Sequence, residues 1–371
     1  MTTLTVVAEQ LAAPVPGGIG RYTANLLPEL IDTAPPGWDV EALVAAHPRS
    51  VIDGIAGRFP GLVRVRRLSF PPRLLPELWR HGVPGTMPSG HVHATSFLAP
   101  LSPRSLTVAS LHDAVPWTHP ETLTPHGAAW HRAMGHRAAR FADGIAVLTL
   151  AVAEQLAEVE DFGDRLHVIP PAVSPSLVLP ADAETRAVAL GLPERYVLTV
   201  GTLEPRKALG ALIEAMASPA APPLPLVVVG PTGWGGVSVT EAAARAGLSS
   251  DRVLPLGFLS DADLAIAYDR ATVFAFPSLA EGFGLPVLEA FSFGTPVVTS
   301  DDPALVEVGA GAALIVEREP AAAYANRLAA GIRSLVDDAA YSARLADAGR
   351  ARAAEFSWRA TAEAVWKLHR R

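Results

Sequence analysis

Two carboxylates, Glu281 and Glu289, stand eight positions apart in Glu281-Gly282-Phe283-Gly284-Leu285-Pro286-Val287-Leu288-Glu289, on either side of a glycine-rich turn and a proline. Pro286 suits the first position of a helix, where its missing N–H would have no partner anyway, and Val287, Leu288, Ala290 and Phe291 continue the apolar pattern. That placement puts Glu289 in the first helical turn and Glu281 in the preceding loop, after the apolar run Val273–Phe276, which reads as a buried strand. Between the acids lie the N–H groups of a helix start, which attract phosphate. A strand, turn and helix of this kind could hold a nucleotide sugar, with phosphates on the amides, one carboxylate on the sugar hydroxyls and the other on the ribose. Acids in a first turn also suit the helix dipole with no ligand at all, so the pair by itself does not decide.

Three further clusters carry candidate chemistry. In Gly201-Thr202-Leu203-Glu204-Pro205-Arg206-Lys207, two adjacent cations follow the apolar run Tyr196–Val200. A planar guanidinium and a compact ammonium can together neutralise the charge that grows on a departing diphosphate, without a metal. Pro16-Gly17-Gly18-Ile19-Gly20-Arg21-Tyr22 follows the first apolar run and leads into a helical pattern at Tyr22, Leu26, Leu27 and Leu30. It offers close backbone approach and helix-start amides but lacks the third glycine and the ribose acid of a dinucleotide fingerprint. His112-Asp113 ends the run Val108–Leu111, at the strand end where open α/β sheets collect ligands. Asp113 could orient the imidazole or bind an acceptor. Asp261-Ala262-Asp263 has an Asp-x-Asp spacing, but Ser260 three residues before Asp263 reads as a helix cap rather than a metal site. His91-x-His93 and the scattered His119, His126, His131 and His136 lack a metal-ligand spacing.

These residues need a scaffold, and the composition limits which. A chain of 371 residues exceeds one ordinary domain, so two are expected. Half of it is apolar in strand-sized runs far shorter than a membrane span. Thr2–Ala8 looks like a strand rather than a charged leader, so the expected compartment is the cytoplasm. With no cysteine there is no disulfide, thiol nucleophile or thiolate metal site, and the net charge of −7 argues against nucleic acid as a partner. Arg64, Arg66, Arg67 and Arg73 beside Phe70, Leu74, Leu75 and Trp79 form a basic patch. It could touch the inner face of an anionic membrane or an acidic acceptor, although a solvated face is the favoured explanation.

Apolar runs alternate with amphipathic stretches, the pattern of parallel α/β domains. Expected strands are Thr3–Ala8, Asp39–Ala45, Val63–Leu68, Val92–Ala94, Thr107–Leu111, Gly144–Leu148 and His167–Ile169. A second series comprises Tyr196–Val200, Leu226–Val229, Val253–Pro255, Val273–Phe276, Val297–Thr299 and Ala313–Val316. Pro170, Pro171, Pro175 and Pro180 mark the linker between them. The expected domains are therefore 1–175 and 176–354.

The segment Ala280 to Thr299, including Phe293-Gly294-Thr295-Pro296-Val297-Val298, resembles the Glu-x7-Glu signature of family-4 retaining glycosyltransferases. Gly201-Thr202 with Arg206-Lys207 resembles that family's Gly-Thr-x-x-x-Arg-Lys-Asn loop, with Ala208 where the family has asparagine. Leu111-His112-Asp113, with His119-Pro120-Glu121, is similar to its mannosyltransferase-like branch. The resemblance implies an α/β chain of GT-B type: two Rossmann-like domains facing a central cleft, the acceptor held mainly by the first and the donor by the second. It implies that a final helix, about 355–371, returns to the first domain. It implies hexose transfer with retention, without a metal or other cofactor, from a nucleotide sugar to a glycan, a lipid-linked or a small-molecule acceptor. GDP-mannose is the preferred donor; a UDP-sugar enzyme, or a nucleotide-sugar-binding scaffold without turnover, is the alternative. By the same resemblance His112, Glu281, Arg206 and Lys207 are catalytic-site residues, Glu281 on the donor sugar, Glu289 on the ribose, and both cations on the phosphates. Gly17, Gly18, Thr202, Phe283, Gly284 and Leu285 join the donor contacts, and Phe258 lies beside the base.

Overall fold

In the computed structural model the described residues are 1–13, 17–233, 235–236 and 238–370. The chain divides into two compact units, Met1–Pro171 with Ser357–Arg371, and Ala172–Phe356. Unit 1 is built on seven strands: β1 Thr2–Val7, β2 Trp38–Val44, β3 Arg64–Arg67, β4 Gly90–Ala94, β5 Ser105–Leu111, β6 Gly144–Val147 and β7 Leu166–Val168. They pair in parallel in the order β3-β2-β1-β4-β5-β6-β7, with Val7 opposite both Leu43 and Ala94. Unit 2 has β8 Val197–Val200, β9 Leu226–Val229, β10 Val253–Gly257, β11 Val273–Phe276, β12 Val297–Ser300 and β13 Ala313–Val316. Their order is β10-β9-β8-β11-β12-β13, again parallel, with Phe274 opposite both Leu198 and Val297.

Both sheets explain the unbroken apolar runs. A parallel strand covered by helices on each face is buried on both, so alternation of apolar and polar residues has no role. All four residues of β8, β9, β11 and β12 are buried. Helices supply the covering layers, and the chain specifies many of their starts with hydroxyl or carboxylate caps. Thr124, Thr149, Ser260, Asp302 and Ser357 each accept a hydrogen bond from an amide in the following turn.

The chain re-enters unit 1 through the helix Trp358–His369. The Trp366 indole N–H donates to the Leu30 carbonyl at 3.1 Å, and Thr361 Oγ1 donates to the Pro170 carbonyl at 2.7 Å. Trp358 meets the Tyr22 ring edge-on at 5.4 Å between centroids. His369, near the helix end, stacks edge-on against His91 and His93 of β4, at 5.9 and 5.8 Å.

Two helix starts differ from the sequence expectation. The helix expected from Tyr22 begins at Gly17 and runs to Asp32, so the glycines form its first turn rather than a loop before it; Pro16 lies outside the described residues. The helix expected from Pro286 begins at Leu285, with Pro286 second. Glu289 is therefore the fifth helical residue and not in the first turn, which holds no acid. The proline fits because the helix's hydrogen bonds begin only at the Val287 amide, so a missing N–H at the second position is as harmless as at the first.

Three of the four arginines of the basic patch make protein contacts, while Arg73 and Leu74 are exposed. Arg64 Nε and Arg66 Nη1 both donate to buried Glu41, at 2.5 and 3.1 Å, and Arg67 Nε donates to the His47 carbonyl. Leu75 and Trp79 are buried in the core of unit 1. No helix among the described residues is long and apolar enough to cross a membrane.

Candidate functional site

Strands β8 and β11 are neighbours in unit 2, and the strand order reverses between them, because β8 continues to β9 on one side whereas β11 continues to β12 on the other. Side chains from the two loops at their carboxyl ends meet there, at the crevice where open α/β sheets bind ligands. The loop after β8 closes with a 3-10 turn, Pro205–Lys207. The loop after β11 carries Glu281.

A buried ion cluster results. Lys207 Nζ donates to Glu281 Oε1 at 2.6 Å, and Arg206 Nη1 donates to Glu281 Oε2 at 3.0 Å. The guanidinium also reaches Glu204 Oε1 at 2.7 Å and the Ala280 carbonyl at 2.8 Å. The Arg206 carbonyl accepts from the Leu279 amide at 2.8 Å, which locks the two loops together through backbone as well. The Lys207 ammonium sits 4.9 Å from the centroid of the Phe276 ring, a cation–π contact that favours the charged head. Burial pushes the Glu281 carboxyl up, but Lys207 and Arg206 more than reverse that and hold it at about 2. Burial lowers the Lys207 ammonium, an effect opposed by Glu281.

Behind Glu281 stands a second acid. Asp302 is buried, and its Oδ1 caps the helix Pro303–Gly309 through the amides of Ala304 and Leu305, at 3.1 and 3.3 Å. Its carboxylate also accepts from the Glu281 amide; burial first, and then the Glu281 charge, push the Asp302 carboxyl up to about 6. Arg318 completes the wall, donating to Asp301 Oδ1 at 2.6 Å and to the Leu279 carbonyl.

The backbone is brought equally close. A Cβ on Gly230, at the end of β9, would lie 1.9 Å from the Gly201 carbonyl oxygen. Gly284, the residue before the Leu285–Phe293 helix, has φ +89°, and a Cβ there would lie 2.4 Å from Leu305 Cδ2. With this turn the Gly284 and Leu285 amides come before the helix's own hydrogen bonds, which begin with Val287 N–H to the Gly284 carbonyl. They form an anion-favouring helix start in the same loop as Glu281.

The remaining sequence-selected residues are distributed as follows. Glu289 is buried, and its Oε2 accepts from the Tyr268 hydroxyl at 2.9 Å. The Phe283 side chain is buried edge-on against Phe356 at 5.5 Å, so it serves packing, and only its backbone is left for a ligand. Thr202 is half-buried in the loop after β8, and Phe258, just past β10, is 74% exposed. Asp261 and Asp263 turn to protein partners: Ser176 donates to Asp261, and Arg186 donates to Asp263 Oδ1 at 3.0 Å. Ser260 caps this helix by accepting from the Asp263 amide.

Gly17, Gly18 and His112 belong to unit 1. Gly17 and Gly18 are exposed in a first helical turn. His112 follows β5; its Nε2 is 2.7 Å from the Thr95 carbonyl and its ring lies edge-on to Tyr22 at 4.8 Å. The Thr95 carbonyl orients the ring, and Asp113 Oδ1 accepts from the Val115 amide. Burial lowers the imidazole pKa, opposed by the Thr95 contact and by Asp113. Glu204, Tyr268 and Asp302 did not emerge from the sequence as site residues. Only Asp302 had a usable signal, an acid followed by proline and an apolar run, which marks a helix cap.

Residues 182–352, most of unit 2, match the family model described as glycosyl transferases group 1. O-antigen chain mannosyltransferase B of Escherichia coli is 35% identical over 166 residues, 44% of this chain and 42% of that protein. D-inositol 3-phosphate glycosyltransferase of Mycobacterium tuberculosis is 34% identical over 221 residues, 56% of this chain and 44% of that protein. The chain thus spans less than half the length of the curated relatives it matches. Two solved structures align end to end: sucrose-phosphate synthase from Thermosynechococcus elongatus, at TM-score 0.74 and 22% identity over 100% of this chain and 98% of that one, and Anabaena HepE in complex with UDP and glucose, at TM-score 0.75 and 19% identity over 99% of both. The fold is GT-B. Its second Rossmann-like unit holds the ion cluster, and that unit is also where the family match falls.

Proposed function

We propose that the chain is a retaining glycosyltransferase that moves a hexose from a nucleotide sugar to a hydroxyl acceptor, with unit 2 binding the donor and unit 1 the acceptor. The observation that carries this reading is the Glu281 carboxylate held between Lys207 and Arg206 at the β8/β11 crevice. Two cations and a helix start suit a diphosphate, and the carboxylate between them suits the hydroxyls of the attached sugar. As the glycosidic bond breaks, charge develops on the departing diphosphate. Arg206 and Lys207 are already in place to meet it, so a divalent ion is not required by this chemistry. The leaving diphosphate then takes the acceptor proton on the same face, which gives retention without a protein nucleophile. His112, fixed by the Thr95 carbonyl, contributes a contact to the donor sugar.

For the donor, GDP-mannose is favoured by the His112-Asp113 segment and by the likeness to a mannosyltransferase. A UDP-sugar is the second reading, since HepE was solved with UDP and glucose. The acceptor is a glycan, lipid-linked or small-molecule hydroxyl. The test is a diphosphate-release assay over a panel of GDP- and UDP-sugars, with and without acceptors and with a chelator present. Acceptor-dependent release from GDP-mannose that survives chelation supports the donor and the metal-independent transfer, and the anomeric configuration of the product, read by NMR, tests retention. Release from UDP-sugars alone moves the donor assignment, and tight binding without release under any condition makes the chain a scaffold.

A further inference from the structure

The Glu289 carboxylate lies at the end of a flexible side chain whose immobilisation costs about 1.5–2 kcal/mol. Something must hold it before a ligand arrives if it is to discriminate. Tyr268 does so from the neighbouring helix Asp261–Asp269, its hydroxyl donating to Glu289 Oε2 at 2.9 Å with both residues buried. The tyrosine is itself fixed. Its ring is fully buried, parallel to Phe293 at 6.0 Å and 7°, and tilted against Phe274 at 5.4 Å. Its carbonyl accepts from Thr295 Oγ1 at 2.7 Å. A phenol bonded to one oxygen anchors that oxygen and narrows the rotations open to the side chain, so the positions open to the second oxygen are limited from behind.

Resting on the reading of Glu289 as the ribose ligand, we propose that Tyr268 is a positioning residue for it: the phenol presets the carboxylate that recognises the ribose hydroxyls of the donor nucleotide. Tyr268 touches Glu289 and not the nucleotide. Its contribution is confined to that part of the affinity that depends on the hydroxyls.

The experiment compares binding of GDP and UDP with binding of their 2′,3′-dideoxy counterparts to the full chain, by calorimetry, for wild type, Tyr268→Phe and Glu289→Gln. The expected result is that wild type prefers the ribonucleotide, that Glu289→Gln abolishes the preference, and that Tyr268→Phe weakens the ribonucleotide about tenfold while leaving the dideoxy form unchanged. Retained dideoxynucleotide binding also reports that the variant is folded. In turnover, Tyr268→Phe raises donor KM and keeps kcat. If Tyr268→Phe weakens both nucleotides alike, or weakens neither while Glu289→Gln still abolishes the preference, the phenol is a packing residue and the inference is overturned. If wild type shows no preference for the hydroxyls, the ribose reading of Glu289 fails and this inference falls with it.

Discussion

Both units bury titratable side chains: unit 1 buries a cluster of imidazoles besides the Glu41 carboxylate held by Arg64 and Arg66, and unit 2 buries the Glu281 carboxylate between Arg206 and Lys207. In unit 1, His93 and His369 are inaccessible, and among the described residues neither ring nitrogen of either has a hydrogen-bond partner. Burial, then the neighbouring His112, depresses His93 to about 3, and burial with His93 and His91 lowers His369 well below its ordinary value. These rings behave as flat apolar packing between β4 and the returning helix. In unit 2, Glu281, Arg206 and Lys207 are charged and nearly buried, with polar partners around them. Replacing such a cluster by apolar residues of similar volume is often neutral or stabilising. Stability gives little reason for such a cluster, and its place at the β8/β11 crevice, beside a helix start, is the argument for function there, while the partnerless histidines read as packing.

The largest expected effect removes the charge while keeping the shape. Glu281→Gln is expected to lower kcat by about a hundredfold or more, the scale of losing one preorganised electrostatic contact. It should also tighten nucleoside diphosphate binding, because Arg206 and Lys207 no longer share their charge with a carboxylate. Arg206→Ala combined with Lys207→Ala is expected to do the reverse to binding. Steady-state kinetics with calorimetry of the diphosphate product separates the two. A Glu281→Gln enzyme with wild-type kcat would reduce the cluster to a structural feature, like the histidines.

Next comes a backbone contact that only unit 2 requires. Gly230→Ala puts a methyl 1.9 Å from the Gly201 carbonyl oxygen, where no flexible side chain can yield. The expected loss is about 3 kcal/mol, read as a lower urea midpoint. Six of the seven tryptophans, at 38, 79, 117, 130, 358 and 366, belong to unit 1. Their fluorescence transition should consequently move less than the far-ultraviolet circular dichroism transition. Coincident shifts would mean that the units unfold as one.

Acid separates the units by sign. A histidine whose folded pKa is lowered binds its proton in the unfolded chain first. His93 therefore withdraws stability as pH falls below about 6.5, and continues to do so down to about 3, at about 1.4 kcal/mol per pH unit. Asp302 in unit 2 is raised to about 6, so between pH 6 and 4 it adds stability as it takes up a proton, which removes first the cost of a buried charge and then the repulsion with Glu281. Glu281, depressed to about 2, withdraws stability only below about pH 4.5. At pH 5 the tryptophan-reported transition is expected to weaken, and His93→Leu is expected to restore about 2 kcal/mol of it. His91, His112 and His369 surround His93, and Asp143 acts on His91. An unchanged pH dependence in His93→Leu would assign the acid lability to those neighbours.

The contrast between the units also shows what a sequence discloses. All thirteen expected strands form, with ends shifted by at most two residues; for the central strands this is because burial on both faces is a local property of composition, whereas β3, β7 and β10 at the sheet edges are partly exposed. The pairing of β8 with β11, which carries Arg206 and Lys207 to Glu281 across 75 and 74 residues, is not local. Each loop could be selected only because it followed a strand and held the right residue types. Tyr268 and His369 left no signal at all, since a tyrosine in an apolar helix and a histidine near a terminus have many ordinary explanations. Gly17 and Leu285 moved their helix starts because glycine and proline are both tolerated in a first turn, where amides have no helical partner.

The smallest effect concerns backbone strain beside the cations. Positive φ in unit 1 is confined to glycines among the described residues, whereas unit 2 places two alanines there, Ala208 at φ +48° and Ala310 at φ +44°. A left-handed conformation costs a β-carbon residue roughly 1–2 kcal/mol, and asparagine tolerates it better because its short amide can bond the local backbone. Ala208 follows Lys207 directly and precedes the helix Leu209–Ala217 without a side-chain cap. The asparagine that the resembled loop carries at this position thus has a conformational reason that needs no phosphate contact. Ala208→Asn is expected to raise stability by about 1 kcal/mol, and Ala310→Asn, away from the cations, by a similar amount. If the asparagine serves conformation alone, both variants shift the thermal midpoint and neither changes donor KM. A fall in KM confined to Ala208→Asn would instead show that the amide reaches the diphosphate, and would extend the ion cluster of unit 2 by one residue.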